Sequence, residues 1–314
     1  MYYFVNYIRT IATVLITNSH YSNIWPIEAM ATGGLLGNVL FFAASGFCLF
    51  RIKESFPKWY LKRIVKIYPI IVCFTFFTVL IGDYTLSSGL DFVRLFIYPT
   101  NYIFIVWLMA SYVVFYIVAW LSKKWEKTVY VAFGVVLALW LLTYLIFVDK
   151  SVYNIDEVSK PFIVYLYMLG MLMGAILRKH IDKFSEFKWI NLVLLALSIV
   201  LYFGSKIAFS RIQSIAWLQI LNQIIILAVV YFIFVVLMSL EVSLKKVPGL
   251  INRIVKFVSG ITLHIYIVQF VVIRRLEGLI FPVNLLATTA AILALASTVY
   301  CAEYFIKKRY NRFG

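Results

Sequence analysis

Long apolar stretches, separated by short polar connections, dominate this sequence. A helix needs about 20 mostly apolar residues to cross the hydrocarbon core of a bilayer. Helices suit that setting because each one satisfies its own backbone N–H and C=O groups. The predicted spans are residues 4–22, 34–52, 65–83, 102–121, 129–148, 161–178, 188–206, 214–238, 257–275 and 283–305. We therefore predict an all-α polytopic membrane protein, a bundle of about ten transmembrane helices. Residues 1–314 are predicted to form a single domain with no appended soluble domain.

Composition agrees with this prediction. Hydrophobic residues make up 64% of the 314 residues and charged residues 13%, with a mean hydropathy of +0.95. Soluble domains are typically about 45–50% apolar and about 25% charged. Cys48, Cys73 and Cys301 stand far apart in apolar stretches, without the spacing of a metal site or a disulfide framework. We expect buried, inert thiols and no metal.

The formal charge of +16 follows the predicted topology. Of the 29 lysines and arginines, 21 fall on one alternating set of connections and tails, and seven fall on the other. Cytoplasmic connections collect lysine and arginine. The bias therefore predicts that both termini are cytoplasmic. No basic patch lies on a soluble module, so nucleic acid is not an expected partner.

The first predicted span contains Arg9 and, near its outer end, His20. An arginine in hydrocarbon costs about 2.5–3.5 kcal/mol on the lenient insertion scale. Eleven residues make about three helical turns, so the two side chains are predicted to share one face, about 16 Å apart. Only Glu303 supplies an acidic residue inside another span, which favours a ligand for Arg9. Both side chains could instead reach the membrane interface and serve no catalytic purpose.

Three further stretches follow the Arg9–His20 pair. The second span contains F-F-A-A-S-G-F, residues 41–47, with Ser45 and Gly46. The third begins with Lys62, Arg63 and Lys66 before Tyr68 and Pro69. A late span reads T-L-H-I-Y-I-V-Q, residues 262–269, with Tyr266 and Gln269. In order and spacing these elements resemble the acyltransferase-3 family of membrane O-acyltransferases. Two positions depart from its pattern: Lys66 replaces an arginine that could make a bidentate contact, and Gln269 stands where many members have histidine.

The resemblance implies transfer of an acyl group, most often acetyl, from acetyl-CoA or another acyl-CoA to a glycan hydroxyl. It implies that His20 is a general base or a nucleophile. Arg9 is the second predicted catalytic residue, and it could hold the phosphates of the coenzyme or the thioester carbonyl. Arg63, Lys66 and Lys62 would bind the phosphates of the coenzyme. Ser45, Gly46, Tyr68, Tyr266 and Gln269 would support the site. Lysine-, isoleucine- and asparagine-rich usage suggests a bacterial plasma membrane, where a polysaccharide or lipid-linked glycan is the expected acceptor.

The alternative function is transport or flipping of a lipid-linked sugar or a small anion. Transporters often contain spans broken by glycine or proline in corresponding halves. The seven prolines instead fall at predicted span ends and turns. Of the other histidines, His264 and His180 are expected to be packing or surface residues. The longest outer connection, residues 84–101, is aromatic and apolar and is expected to lie along the membrane interface.

Overall fold

The computed structural model describes residues 2–156 and 162–313, which are helical and contain no strand. Pro161, the predicted start of the sixth span, and the loop residue Lys160 lie outside the described residues. So do the side chains of the basic tail residues Lys307, Arg309 and Arg312. The helices are α1 Tyr3–Asn18, α2 Gly34–Leu49, α3 Phe56–Leu80, α4 Gly89–Phe92, α5 Ile103–Leu121, α6 Thr128–Phe147, α7 Phe162–Lys179, α8 Trp189–Arg211, α9 Ile220–Ser239, α10 Glu241–Lys245, α11 Gly249–Gly260, α12 Thr262–Leu276 and α13 Val283–Phe313.

Each predicted span corresponds to a helix, and the all-helical, multi-pass fold is confirmed. Within the described residues, eight helices are long and apolar enough to cross a membrane. A ninth is counted if α11 and α12, bent by 71° at a break between them, form one span. The remaining predicted span corresponds to α1, which is only 16 residues long. The count of ten is therefore reached only if this short helix also crosses, and the placement of both termini in the cytoplasm stays a prediction.

The chain divides into two compact units whose segments alternate along the sequence. Unit 1 comprises Met1–Ala12, Leu35–Lys53 and Val113–Val255. Unit 2 comprises Thr13–Gly34, Glu54–Tyr112 and Lys256–Gly314. Because α1 passes from one unit to the other after Ala12, Arg9 belongs to unit 1 and His20 to unit 2. A single domain over the whole chain stays a prediction.

In unit 1, α2 and α7 touch backbone to backbone through glycines. A Cβ added at Gly46 would lie 1.9 Å from the carbonyl oxygen of Met171, and one at Gly174 would lie 1.9 Å from that of Ala43. Only glycine permits such an approach without separating the helices, a common device in membrane bundles. The predicted supporting residue Gly46 is therefore a packing residue of unit 1.

A buried glutamine organises the connection between α6 and α7 in the same unit. Gln219 is fully buried, and its side-chain oxygen accepts hydrogen bonds from the backbone N–H groups of Asn154 and Ile155, both at 2.9 Å. Its amide nitrogen donates to the carbonyls of Asp149 and Val152, both at 3.1 Å. The side chain thus replaces the hydrogen bonds that this turn of backbone would otherwise make with water.

In unit 2, the end of α1 is fixed by Asn18. Its amide donates to the carbonyls of Met30 at 2.8 Å and Thr32 at 3.0 Å, and its oxygen accepts from the indole of Trp25 at 2.9 Å. These bonds fold the following segment back toward the helix end. The predicted helix over residues 4–22 is therefore too long: α1 stops at Asn18, and His20 lies in the turn beyond it.

The three cysteines form no disulfide with one another, and all three are exposed on the surface of the protein. The expectation that they are buried was wrong. Apolar spans have lipid-facing as well as interior faces, and these cysteines lie on the outward faces.

Candidate active site

Unit 2 contains an open cavity of about 300 Å³ next to His20. Its lining combines aromatic, apolar and polar side chains from segments that are distant in sequence. The lining residues are His20, Tyr84, Asn101, Phe270, Ile273 and Arg274. Such a mixture, mostly apolar with a few convergent polar groups, is typical of a small-molecule site.

His20 is held in the cavity wall by its own turn and by an aromatic neighbour. Its backbone N–H donates to the carbonyl of Thr17 at 3.1 Å, and its ring packs edge-on against Phe270 with 4.8 Å between centroids. Among the described residues, no carboxylate forms an ion pair with the imidazole. Burial lowers the pKa of His20 below its usual 6.5, so the neutral ring, which can accept a proton, is favoured.

The segment after His20 is anchored to α13 of the same unit. The hydroxyl of Tyr21 is hydrogen-bonded to that of Thr289 at 3.1 Å. The Asn284 amide donates to the carbonyl of Ile24 at 2.9 Å. Together with Asn18, these contacts hold the turn from both ends and restrict the position of His20.

Two linked tyrosines form another part of the wall. The backbone N–H of Tyr84 bonds to the carbonyl of Thr78 at 3.3 Å, which places Tyr84 against the last turn of α3. The hydroxyls of Tyr84 and Tyr102 are hydrogen-bonded to each other. Burial raises the pKa of Tyr84, although the nearby Arg274 guanidinium opposes this shift. Tyr84 is therefore a neutral hydrogen-bonding group at physiological pH.

Arg274 supplies the cationic group of the lining. Its Nε donates to the carbonyl of Phe270, one turn earlier in α12, at 3.3 Å. Its guanidinium carbon lies 5.8 Å from the centre of the Tyr84 ring. The guanidinium is also hydrogen-bonded to the Tyr84 hydroxyl. These contacts orient the arginine along the cavity wall, and a guanidinium with five N–H donors has further donors for other partners.

Helix α12 also carries two of the predicted supporting residues, Tyr266 and Gln269. Tyr266 packs edge-on against Phe270, with centroids 5.7 Å apart, and so lies one ring away from His20. Gln269 is fully buried, and neither its amide oxygen nor its amide nitrogen has a hydrogen-bond partner within the described part of the chain. An orphaned buried amide is uncommon in a native fold and calls for an explanation.

The predicted phosphate-binding residues lie at the start of α3, with Tyr68 half-buried further along it. The guanidinium of Arg63 stacks over Trp59 at 4.9 Å, and its buried Nε has no hydrogen-bond partner among the described residues. Lys62 is ion-paired with Glu54, and this hydrogen bond lowers the pKa of that carboxyl. Lys66 is exposed. Arg63 is thus the best placed of the three to receive an anion.

The structure changes the argument for Arg9. Because α1 ends before His20, the regular helical spacing that placed both side chains on one face does not extend to the histidine. Arg9 is half-buried in unit 1 and interacts with other groups of the protein, so it does not lack a partner. Ser45 is half-buried in the same unit. A catalytic role for Arg9 stays a prediction.

Tyr84, Asn101, Phe270 and Arg274 were not predicted as site residues. One signal was available for Arg274, because it and Arg275 form a basic pair in the set of connections that is otherwise poor in lysine and arginine. Tyr84 and Asn101 fall at the two ends of the connection that was expected to lie along the interface. Over the described residues, no group of three or more histidine, cysteine, aspartate or glutamate side chains could hold a metal ion.

A family model described as an acyltransferase domain matches residues 2–305. No characterised protein sequence and no solved structure gives a significant match. The family match covers nearly the whole chain, including both compact units and the cavity beside His20. It supports membrane acyltransferase activity in preference to transport. The chain therefore belongs to the acyltransferase-3 family of membrane acyltransferases.

Proposed function

We propose that this protein transfers an acyl group, most simply acetyl, from cytoplasmic acyl-CoA to a hydroxyl of a cell-surface polysaccharide or its lipid-linked precursor. His20 is the general base. The single observation that carries the proposal is the position of His20, a half-buried imidazole in the wall of an open cavity, in a chain of an acyltransferase family.

In the proposed step, a hydroxyl of the acceptor enters the cavity and donates a hydrogen bond to the imidazole of His20. As its oxygen attacks the thioester carbonyl, the proton passes to the imidazole. The carbon–sulfur bond then breaks, the coenzyme thiolate takes the proton, and an ester remains on the acceptor. General base catalysis of this kind contributes about 10²–10⁴ in rate.

The donor end of the reaction is assigned to Arg63. Its guanidinium lies over the ring of Trp59 and keeps one buried N–H without a partner in the described part of the protein. A planar guanidinium that is already oriented suits a phosphate of coenzyme A. Lys62, neutralised by Glu54, is expected to contribute less, and Lys66 supplies charge without the bidentate geometry.

The proposal is tested in cells whose own copy of the gene is deleted and then restored as wild type, His20→Ala or His180→Ala. His180 is the matched control because it is an exposed-loop histidine whose ring is hydrogen-bonded to Tyr130. We expect base-labile acyl groups on the cell-surface glycan with wild type and His180→Ala. His20→Ala should reduce them by about 10²–10⁴.

Protein levels in the membrane are measured in parallel so that loss of activity is separated from loss of protein. Full acylation by His20→Ala at a normal protein level would falsify the role of His20. Binding of acetyl-CoA to the purified protein tests the donor separately: wild type should be stabilised against thermal unfolding, and Arg63→Gln should be stabilised much less. Equal stabilisation of both proteins would exclude Arg63 as the phosphate ligand.

A further inference from the structure

The lining of the cavity beside His20 carries a positive charge and no negative one. Of the residues that line it, Arg274 alone carries a permanent charge, and no lining residue is acidic. Its other named contacts are the backbone carbonyl of Phe270 and the ring and hydroxyl of Tyr84. None of these groups is an anion. The cavity therefore presents a positive charge to whatever enters it.

The nearby carboxylates are engaged elsewhere. Asp83 is ion-paired with Arg275 at 2.8 Å, and Glu277 accepts a hydrogen bond from the amide of Asn23 at 3.0 Å. Neither carboxylate lines the cavity. Among the described residues, none lies within ion-pairing distance of Arg274. Two adjacent arginines thus have different surroundings: Arg275 has its counter-ion, whereas Arg274 faces the cavity without one.

From these observations we propose that the acceptor is an anionic glycan, and that Arg274 binds its carboxylate or phosphate while His20 receives the proton of a nearby hydroxyl. A guanidinium matches both kinds of anion through paired N–H groups. Tyr84 and Asn101 add neutral hydrogen-bonding groups, and Phe270 adds an aromatic face for the carbon skeleton of a sugar. This proposal rests on the proposed acyl transfer and adds the chemical class of the acceptor.

Arg274→Gln and Arg275→Gln form a matched pair for the test, since each removes one positive charge from the same turn of α12. The acylated glycan is isolated from cells and freed of its acyl groups. It is then offered with acetyl-CoA to purified protein in nanodiscs of phosphatidylcholine alone. One portion of the glycan is left intact, one has its carboxyl groups reduced, and one has its phosphates removed.

We expect wild type and Arg275→Gln to acetylate the intact glycan at rates within about twofold of each other. Arg274→Gln should be at least tenfold slower, chiefly through a higher KM, and Arg274→Lys should recover part of the loss. Removing from the glycan the anionic group that Arg274 binds should slow wild type by a similar factor. It should not slow Arg274→Gln further, because both changes remove the same contact and their effects do not add. A lower rate on the glycan with reduced carboxyl groups identifies a carboxylate as the group bound by Arg274. A lower rate on the glycan without phosphates identifies a phosphate.

Three results would overturn the inference. Arg274→Gln could retain the wild-type KM, or Arg275→Gln could lose as much as Arg274→Gln, which would assign the effect to general charge. The assay is also repeated in nanodiscs that contain phosphatidylglycerol. A loss of activity by Arg274→Gln only in those nanodiscs would assign Arg274 to a lipid headgroup. Thermal unfolding of each variant shows whether it is folded. Failure of wild type to acetylate any portion would instead count against the proposed function itself.

Discussion

Two fully buried glutamines differ sharply in what surrounds them. In unit 1, Gln219 makes four hydrogen bonds to the backbone of one connection. In unit 2, Gln269 makes none with the described residues from either amide atom. A buried amide without partners costs about 1–3 kcal/mol for each unsatisfied group. Gln219 therefore has a clear role in the fold, whereas Gln269 stays a predicted supporting residue of the site.

The largest effect on stability is expected for Gln219→Leu. The substitution leaves two backbone N–H groups and two carbonyls without their partner, which should lower the free energy of unfolding by at least about 4 kcal/mol. Gln213→Leu, at an exposed glutamine of the preceding turn, is the matched control and should change it by less than about 0.5 kcal/mol. Unfolding of the purified protein in detergent measures both. Equal stability of the two variants would show that the hydrogen bonds of Gln219 do not stabilise the fold.

A smaller loss is expected for Gly174→Ala, which tests how rigid the α2–α7 contact in unit 1 is. The added methyl group meets the carbonyl of Ala43, so the helices must separate, at a cost of about 1–3 kcal/mol. Gly134→Ala is the control, since nothing lies within 4 Å of its added Cβ. That change should be neutral or stabilising by up to about 1 kcal/mol. Similar melting temperatures for the two variants would show that the contact yields easily.

Gln269→Leu should affect acyl transfer and not stability, unlike Gln219→Leu. Removing an amide that has no partner should leave stability unchanged or raise it by about 1 kcal/mol, while acyl transfer falls. Measuring unfolding and the transfer rate on the same preparation separates the two effects. Lower stability together with unchanged activity would mean that Gln269 is a structural residue like Gln219.

The smallest effect concerns pH. Because burial lowers the pKa of His20, the neutral base should persist below pH 6.5. As the pH rises from 5 to 8, kcat/KM for the acceptor should increase, reach half its maximum below pH 6.5, and be constant between pH 7 and 8. A rate profile with saturating acyl-CoA measures this. A midpoint at or above pH 7 would contradict the environment described for His20.

Hydropathy and charge predicted the helices well because membrane helices are determined by local composition. The end of α1 could not be predicted, since Asn18 bonds to Met30 and Thr32, which join it only after the chain folds back. The cavity had the same limitation. Tyr84 and Asn101 stand at the two ends of one connection and Arg274 comes from α12, and their convergence depends on tertiary packing. The sequence motif predicted His20 as a site residue, but it did not predict the residues that surround it.

The length of α3 has a consequence for the reach of the acyl donor. Arg63 lies in the second turn of this helix, and Tyr84 of the cavity wall bonds back to Thr78 in its last turn. At 1.5 Å per residue, the positions of Arg63 and Thr78 are about 22 Å apart along the axis. A donor held by its phosphates at Arg63 must carry its acyl group on an arm of that order. Coenzyme A, the donor in the proposed function, has a long chain between its thioester and its phosphates and would meet this requirement. Acetyl phosphate, with its two groups adjacent, would not, so under the proposed function this distance favours coenzyme A.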